Sequence, residues 1–330
     1  MRRRLFLASC AAAALIAGCT PAGDAGKTGA DSAAKPGQKT FAMIPKGLTH
    51  VFWQTVHAGG DRGGKEFGYN IKWDGAQKES DTSGQIAVVE NAIAAKVDGI
   101  LLAPLDKSAL SNVIKKAKEA NIPVVLFDSA ADVPEDSYVS FTATDNRKGG
   151  ELAAERLIKS GVTSGKVGMI MMAANAASVN DRENGFEEYL KKNAPGIKIV
   201  KSNFGMSDRA KSQQVTEDLL TKDPDVVAIY APAEPTIVGA LQAVKNRNLL
   251  GKIKLIGFDI TTQLDEAVVK GDIDALILQN PENMGYAAVK AMHEHLTGKS
   301  PAKTIDTGCV VMTKENAETP EVKALRPAAK

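Results

Sequence analysis

The feature that most constrains the fold is a succession of short runs that are apolar at every position rather than at every second one. They are Phe41–Ile44, Ile100–Leu102, Val124–Phe127, Val167–Met172, Val226–Tyr230, Ile253–Phe258 and Ala275–Leu278. A strand with one wet face alternates apolar and polar residues, so unbroken runs point to parallel strands covered on both faces. Between the runs the apolar period becomes helical. Ile86, Val89, Ile93 and Val97 share one helical face, as do Leu110, Val113, Ile114 and Ala117. Ile237, Leu241 and Val244 repeat the pattern, and Met284, Ala288, Ala291 and Met292 follow it. Strand and helix alternating roughly every 25 to 30 residues predict an α/β chain of doubly wound, Rossmann-like parallel sheets.

One open sheet holding every run would sit at the upper limit of strand number, so two smaller sheets are expected. A break falls near Phe141–Thr144, after which Asp145 is placed to cap a helix leading into Glu151–Ile158. The chain therefore reads as two α/β lobes of similar size.

The first residues carry an address. Arg2, Arg3 and Arg4 precede a short apolar stretch from Leu5 to Ile16, and Ala17-Gly18 lead into Cys19. That is the layout of a secretory signal over residues 1–18, too short to be a comfortable membrane span. Small residues before a cysteine resemble a bacterial lipobox, which implies lipidation of Cys19 and a protein working outside the cytoplasm, held to the membrane by that anchor only. Residues 19–39 lack large apolar side chains and read as a flexible tether with a mean reach of about 25 Å.

Removing the signal changes the charge argument. The whole chain has 41 Lys and Arg against 39 Asp and Glu, and three of those arginines leave with no acid. The formal charge then falls from +2 to −1, which argues against nucleic acid or anionic lipid as a partner. Of three cysteines, Cys10 lies in the signal and Cys19 is the proposed anchor, so Cys309 has no intrachain partner and reads as a small buried thiol.

In open α/β sheets, ligands bind outside the carboxyl ends of the strands. There the sequence places Lys46 after Ile44, and His50, Phe52 and Trp53 at the opening of the next helix. Asp106 follows Leu102, Asp128 follows Phe127, Glu234 follows the run ending at Tyr230, Asp259 follows Phe258, and Gln279 follows Leu278. Arg182 opens a helix beyond Met171-Met172. Carboxylates, an amide and an arginine share hydroxyl hydrogen bonds, while aromatic faces cover the C–H side of a sugar ring. The set suits a neutral polyhydroxylated ligand. Asp106 reads as a turn residue, whereas Asp128 and Asp259 end apolar strands at equivalent places in the two halves.

Signs of catalysis are scarce. His293 and His295 point to different sides of a helix, and His50 and His57 have no acidic or cysteine ligand in register, so neither a metal nor a cofactor is expected. No nucleophile elbow, zinc-protease or phosphate-loop motif is present. Gly59-Gly60-Asp61-Arg62-Gly63-Gly64 falls within a helical pattern, where small residues permit close packing.

Several of these segments together resemble the type I periplasmic binding proteins of sugar ABC importers, the ribose-type group. Gly257-Phe258-Asp259 is similar to its strand-end aspartate motif, and Ile122–Asp128 to the equivalent one in the other lobe. Asp145–Gly150 resembles its crossover segment, and Arg182-Glu183-Asn184-Gly185-Phe186 its ligand arginine. The resemblance, over about residues 40–315, implies two lobes joined by three crossings that close on ligand. The lobes would comprise 40–142 with 281–304, and 143–280 with 305–330. It implies ligand contacts at His50, Phe52, Trp53, Asp128, Arg182, Asp259 and Gln279. Ser129, Ala233-Glu234 and Ser207 depart from the ribose pattern, while Pro45-Lys46, Asp74-Gly75 and Gly84-Gln85 look closer to a rhamnose- and autoinducer-binding branch. There Lys46, Asp128, Asp181 and Pro232 match the contact positions.

The implied function is a monomeric, non-enzymatic substrate-binding lipoprotein that captures a monosaccharide or polyol and delivers it to an ABC permease. The alternatives are a sensor presenting the same closed lobes to a membrane receptor, a repressor core, and an extracytoplasmic hydrolase. No DNA-binding helix-turn-helix precedes Thr40, and no nucleophile–base pair is identifiable.

Overall fold

A computed structural model describes residues 37–326. The signal, Cys19 and the tether up to residue 36 lie outside the described residues. In chain order the first half runs β1 (Thr40–Ile44), α1 (Val51–Phe67), β2 (Asn70–Trp73), α2 (Thr82–Ala94), β3 (Gly99–Leu102), α3 (Ser111–Glu119), β4 (Val124–Phe127) and β5 (Phe141–Ala143). The second half runs α4 (Asn146–Lys159), β6 (Ser164–Met169), α5 (Ala177–Asn193), β7 (Gly196–Lys201), α6 (Arg209–Lys222), β8 (Val226–Ala231), α7 (Glu234–Asn246), β9 (Lys254–Phe258), α8 (Thr262–Lys270) and β10 (Ala275–Gln279). The chain then returns through α9 (Pro281–Leu296) and β11 (Thr304–Asp306), and ends in β12 (Cys309–Met312) and α10 (Pro320–Lys323).

Two six-stranded sheets result, ordered β2-β1-β3-β4-β5-β11 and β7-β6-β8-β9-β10-β12. The second repeats the order of the first. Every pairing is parallel except that of β12 with β10. The unbroken apolar runs are explained by opposite faces of one strand entering different cores. Phe41 and Met43 pack under α1 and α9, whereas Ala42 and Ile44 join the cluster of α2 and α3. In β8, Ala228 and Tyr230 face one core and Ile229 and Ala231 the other.

The strands without a matching apolar run lie toward sheet edges. β2 and β7 are edge strands with half-exposed residues, and β5, β11 and β12 make up the opposite flanks. β11 pairs with β5 from Thr304↔Phe141 to Asp306↔Ala143. The first sheet thus extends through Ala143 and Asp306, beyond the boundaries expected after residues 142 and 304. The reason is register: a strand of three residues pairs as a unit.

Glycine-mediated helix contacts hold each lobe beside the cleft. A Cβ on Gly59 of α1 would sit 1.9 Å from the Glu282 carbonyl oxygen of α9, and one on Gly285 would sit 2.0 Å from that of Val56. The second lobe repeats this with Gly150 of α4 against the Arg182 carbonyl of α5, and Gly185 against that of Arg147, each at 2.1 Å. The glycine-rich segment of α1 is therefore a packing seam. Asp145 caps α4 as expected, accepting the Lys148 N–H at 2.9 Å.

Candidate functional site

Asp128 and Asp259 follow β4 and β9, the fourth strands of their sheets, and both adopt left-handed backbone, at φ 61° and 67°. Each donates its N–H to the neighbouring strand, Asp128 to Thr142 at 3.0 Å and Asp259 to Ile277 at 2.9 Å. Aspartate tolerates this conformation better than most residues. The turn redirects the chain at the strand end and leaves each carboxylate at the cleft between the lobes.

Around these two acids the lobes enclose a cavity of about 40 Å³. Its lining includes Lys46, His50, Phe52, Trp53, Asp128, Arg182, Asp259 and Gln279, all residues picked out in the sequence. Glu79, Ser178 and Pro235 also line it and were not foreseen. Lys46 and Asp128 are each 4 % exposed, with Lys46 Nζ 2.7 Å from Asp128 Oδ2. That contact is a charge pairing without hydrogen-bond alignment, and Oδ2 keeps an open acceptor direction. Lys46 also donates to Ser178 Oγ of the other lobe at 3.0 Å. The Ser178 N–H in turn reaches Ser129 Oγ at 3.2 Å.

On the second lobe, Gln279 Nε2 donates to Asp259 Oδ1 at 2.6 Å, and the Glu234 N–H donates to Asp259 Oδ2 at 3.1 Å. Arg182 is 3 % exposed and held rigidly. Its Nε donates to Asn146 Oδ1 at 2.8 Å, one terminal nitrogen donates to the Pro232 carbonyl at 3.0 Å, and the guanidinium lies 3.8 Å from the Phe258 ring centre. That terminal nitrogen stays 3.9 Å from Asp259 Oδ2, a charge contact longer than a hydrogen bond.

Trp53 is buried in the first-lobe core with an edge toward the cavity, and its indole N–H donates to Glu79 Oε1 at 2.5 Å. Phe52 is half-buried and meets Trp53 edge-on at 4.9 Å. The one signal that could have pointed to Glu79 is its place in the loop after β2, an edge strand that carries no continuous apolar run.

Two residues proposed as ligand contacts stand elsewhere. Asp181 is exposed on α5 and does not line the cavity, because one step along a helix turns its side chain away from that of Arg182. Glu234 is fully buried, and its two oxygens go to His50 and Arg209. His50 Nε2 lies 2.7 Å from Glu234 Oε2 across the cleft, while His50 Nδ1 accepts the Phe52 N–H and so caps α1. Burial disfavours a charged imidazole, but Glu234, with Glu79 and Asp259 behind it, outweighs burial and raises the His50 pKa. Burial also opposes a charged Glu234, yet His50 and Arg209 hold its pKa below the usual carboxylate value. Asp106 is a turn residue, accepting the Ser108 and Ala109 N–H groups, and its second oxygen accepts from Asn175 of the other lobe at 3.0 Å.

The site thus pairs acids from two lobes with a fixed arginine, an amide and aromatic faces, and side-chain bonds join the lobes. Among the described residues no cluster of His, Cys, Asp or Glu could hold a metal ion. No described helix is long and apolar enough to cross a membrane.

Residues 41–300 match the model of the periplasmic binding protein domain family. The chain belongs to the type I periplasmic binding proteins. This binding protein is 29% identical over 272 residues to the D-ribose/D-allose-binding protein of Pseudomonas aeruginosa, covering 81% of this chain and 85% of that protein. An ABC transporter solute binding protein from Agrobacterium vitis with bound D-fucose shares 38% identity at a TM-score of 0.83, covering 87% of this chain and 100% of that one. A carbohydrate transporter solute binding protein from Agrobacterium radiobacter, in complex with D-arabinose, shares 32% identity at a TM-score of 0.84, covering 88% and 99%. Both likenesses extend across the two lobes of the binding protein, as does the matched family model.

Proposed function

We propose that this chain captures a sugar or related polyol between its two lobes and delivers it to an ABC permease, without breaking a bond. The carrying observation is the pair of strand-end carboxylates, Asp128 and Asp259, brought from opposite lobes to one cavity beside Arg182, Gln279 and Trp53. Two carboxylates accept hydroxyl hydrogen bonds, Arg182 donates to a ring or hydroxyl oxygen, and Phe52 or Trp53 covers an apolar sugar face. The named relatives and neighbours bind ribose, allose, fucose and arabinose, which supports the ligand class. Secretion and lipidation at Cys19 would hold a monomer near the permease.

Titration calorimetry of the folded chain against a panel of aldoses, ketoses and polyols tests the reading. At least one sugar should bind, and Asp259→Asn, which keeps the left-handed turn accessible, should weaken it roughly 10- to 100-fold, the worth of a hydrogen bond to a charged group. A folded chain that binds no sugar, or an Asp259→Asn variant that binds as tightly, would sink it.

A further inference from the structure

Closure leaves the inner cavity at about 40 Å³, far below the roughly 300–1,000 Å³ of small-molecule pockets. Beside it lies a groove of about 310 Å³ that shares Phe52, Asp259 and Gln279 with the inner cavity. The groove stays open while the lobes are closed. The lobes are held together by Lys46 to Ser178, His50 to Glu234 and Asn175 to Asp106. A substituent leaving the inner site through the groove would therefore survive closure.

The two compartments differ in chemistry. Lys46, Asp128 and Arg182 crowd the inner cavity, whereas Val51, Ile260, Pro281 and Leu325 furnish apolar walls to the groove. The charged groups at the groove are already engaged, Glu282 with Arg62 at 3.0 Å, Arg326 with Asp265 at 2.7 and 3.0 Å, and Asp259 with Gln279 at 2.6 Å. Val51 is 50 % exposed at the mouth of the groove. At the junction, Gln279 Oε1 is buried with no hydrogen-bond partner among the described residues. A hydroxyl of a ligand seated across both compartments would satisfy it.

Building on the sugar-binding reading, we propose that the groove is a second subsite and that the preferred ligand is an O-substituted sugar. The second ring of a glycoside or disaccharide lies between Val51 of the first lobe and Leu325 of the second, against the half-buried face of Phe52.

The test is calorimetry with D-galactose, D-fucose and D-ribose, each compared with its α- and β-phenyl glycosides, and with lactose and melibiose. At least one substituted sugar should bind tenfold or more tighter than its free parent. Val51→Glu should erase that gain while leaving the free sugar within twofold, and Val227→Glu, on an exposed site outside the groove, should change neither. If free sugars bind while every substituted one is excluded or no tighter, the second subsite is wrong and the sugar reading stands. A gain untouched by Val51→Glu also overturns it. If the folded chain binds neither free nor substituted sugars, the sugar reading falls and takes the subsite with it.

Discussion

At the residue scale, His50 and Glu183 both hold their proton more tightly in the folded chain, so both make the protein less stable as pH rises. The His50 pKa is raised on folding, so the stability from its pairing with Glu234 is fully present below the unfolded value near 6.5. It is lost as pH rises through the higher folded value. Closure affinity and melting temperature should decline over that interval. His50→Asn, which retains a capping side chain but does not titrate, should flatten the decline in a calorimetric pH series. Glu183 is an acid whose folded pKa is raised by burial to about 7. Its charging therefore costs stability as pH rises above the unfolded carboxylate value. Glu183→Gln should gain about 2–3 kcal/mol at pH 8 and little near pH 4, read from urea unfolding at both. Asp128 and Asp259 were legible in the sequence because each ends an apolar strand. The partner of Glu234 was not, since His50 lies in the other lobe and only closure brings them to 2.7 Å.

At the element scale, the same construction is used in each lobe. α1 crosses α9 through Gly59 and Gly285, and α4 crosses α5 through Gly150 and Gly185, in each case with backbone as the opposing surface. No rotamer change can make room there. Gly150→Ala should cost about 1–3 kcal/mol by overpacking, seen as a lower urea midpoint. It should also weaken ligand binding, because the added methyl presses on the Arg182 carbonyl. Most core strands were visible as apolar runs, since burial on both faces removes polar residues from the sequence. β2 and β7 were not among those runs because edge strands keep exposed positions such as Lys72 and Lys198. β11 is three residues long and carries too little pattern to detect.

At the scale of the whole molecule, two lobes of repeated strand order meet through a small number of polar links. Lys46 to Ser178, Ser178 to Ser129, His50 to Glu234 and Asn175 to Asp106 join the lobes. Such links are individually modest, so opening should be governed by only a few of them. Combining Lys46→Met with Glu234→Gln should shift the ligand-free chain toward open lobes, measured as a larger radius of gyration by small-angle scattering. Saturating ligand should reverse the shift. Sequence alone determined the class of fold, two wound parallel sheets, because double-sided burial and helical period are local patterns written along the chain. It also determined the two strand-end aspartates, because their positions follow from where each apolar run stops. Only the tertiary structure decided that Glu234 serves His50 and Arg209, that Asp181 faces away, that Glu79 enters the site, and that a groove opens beside the closed cavity. Those outcomes depend on which side chains face each other across two lobes, and contacts between residues far apart in sequence leave no periodicity within either segment.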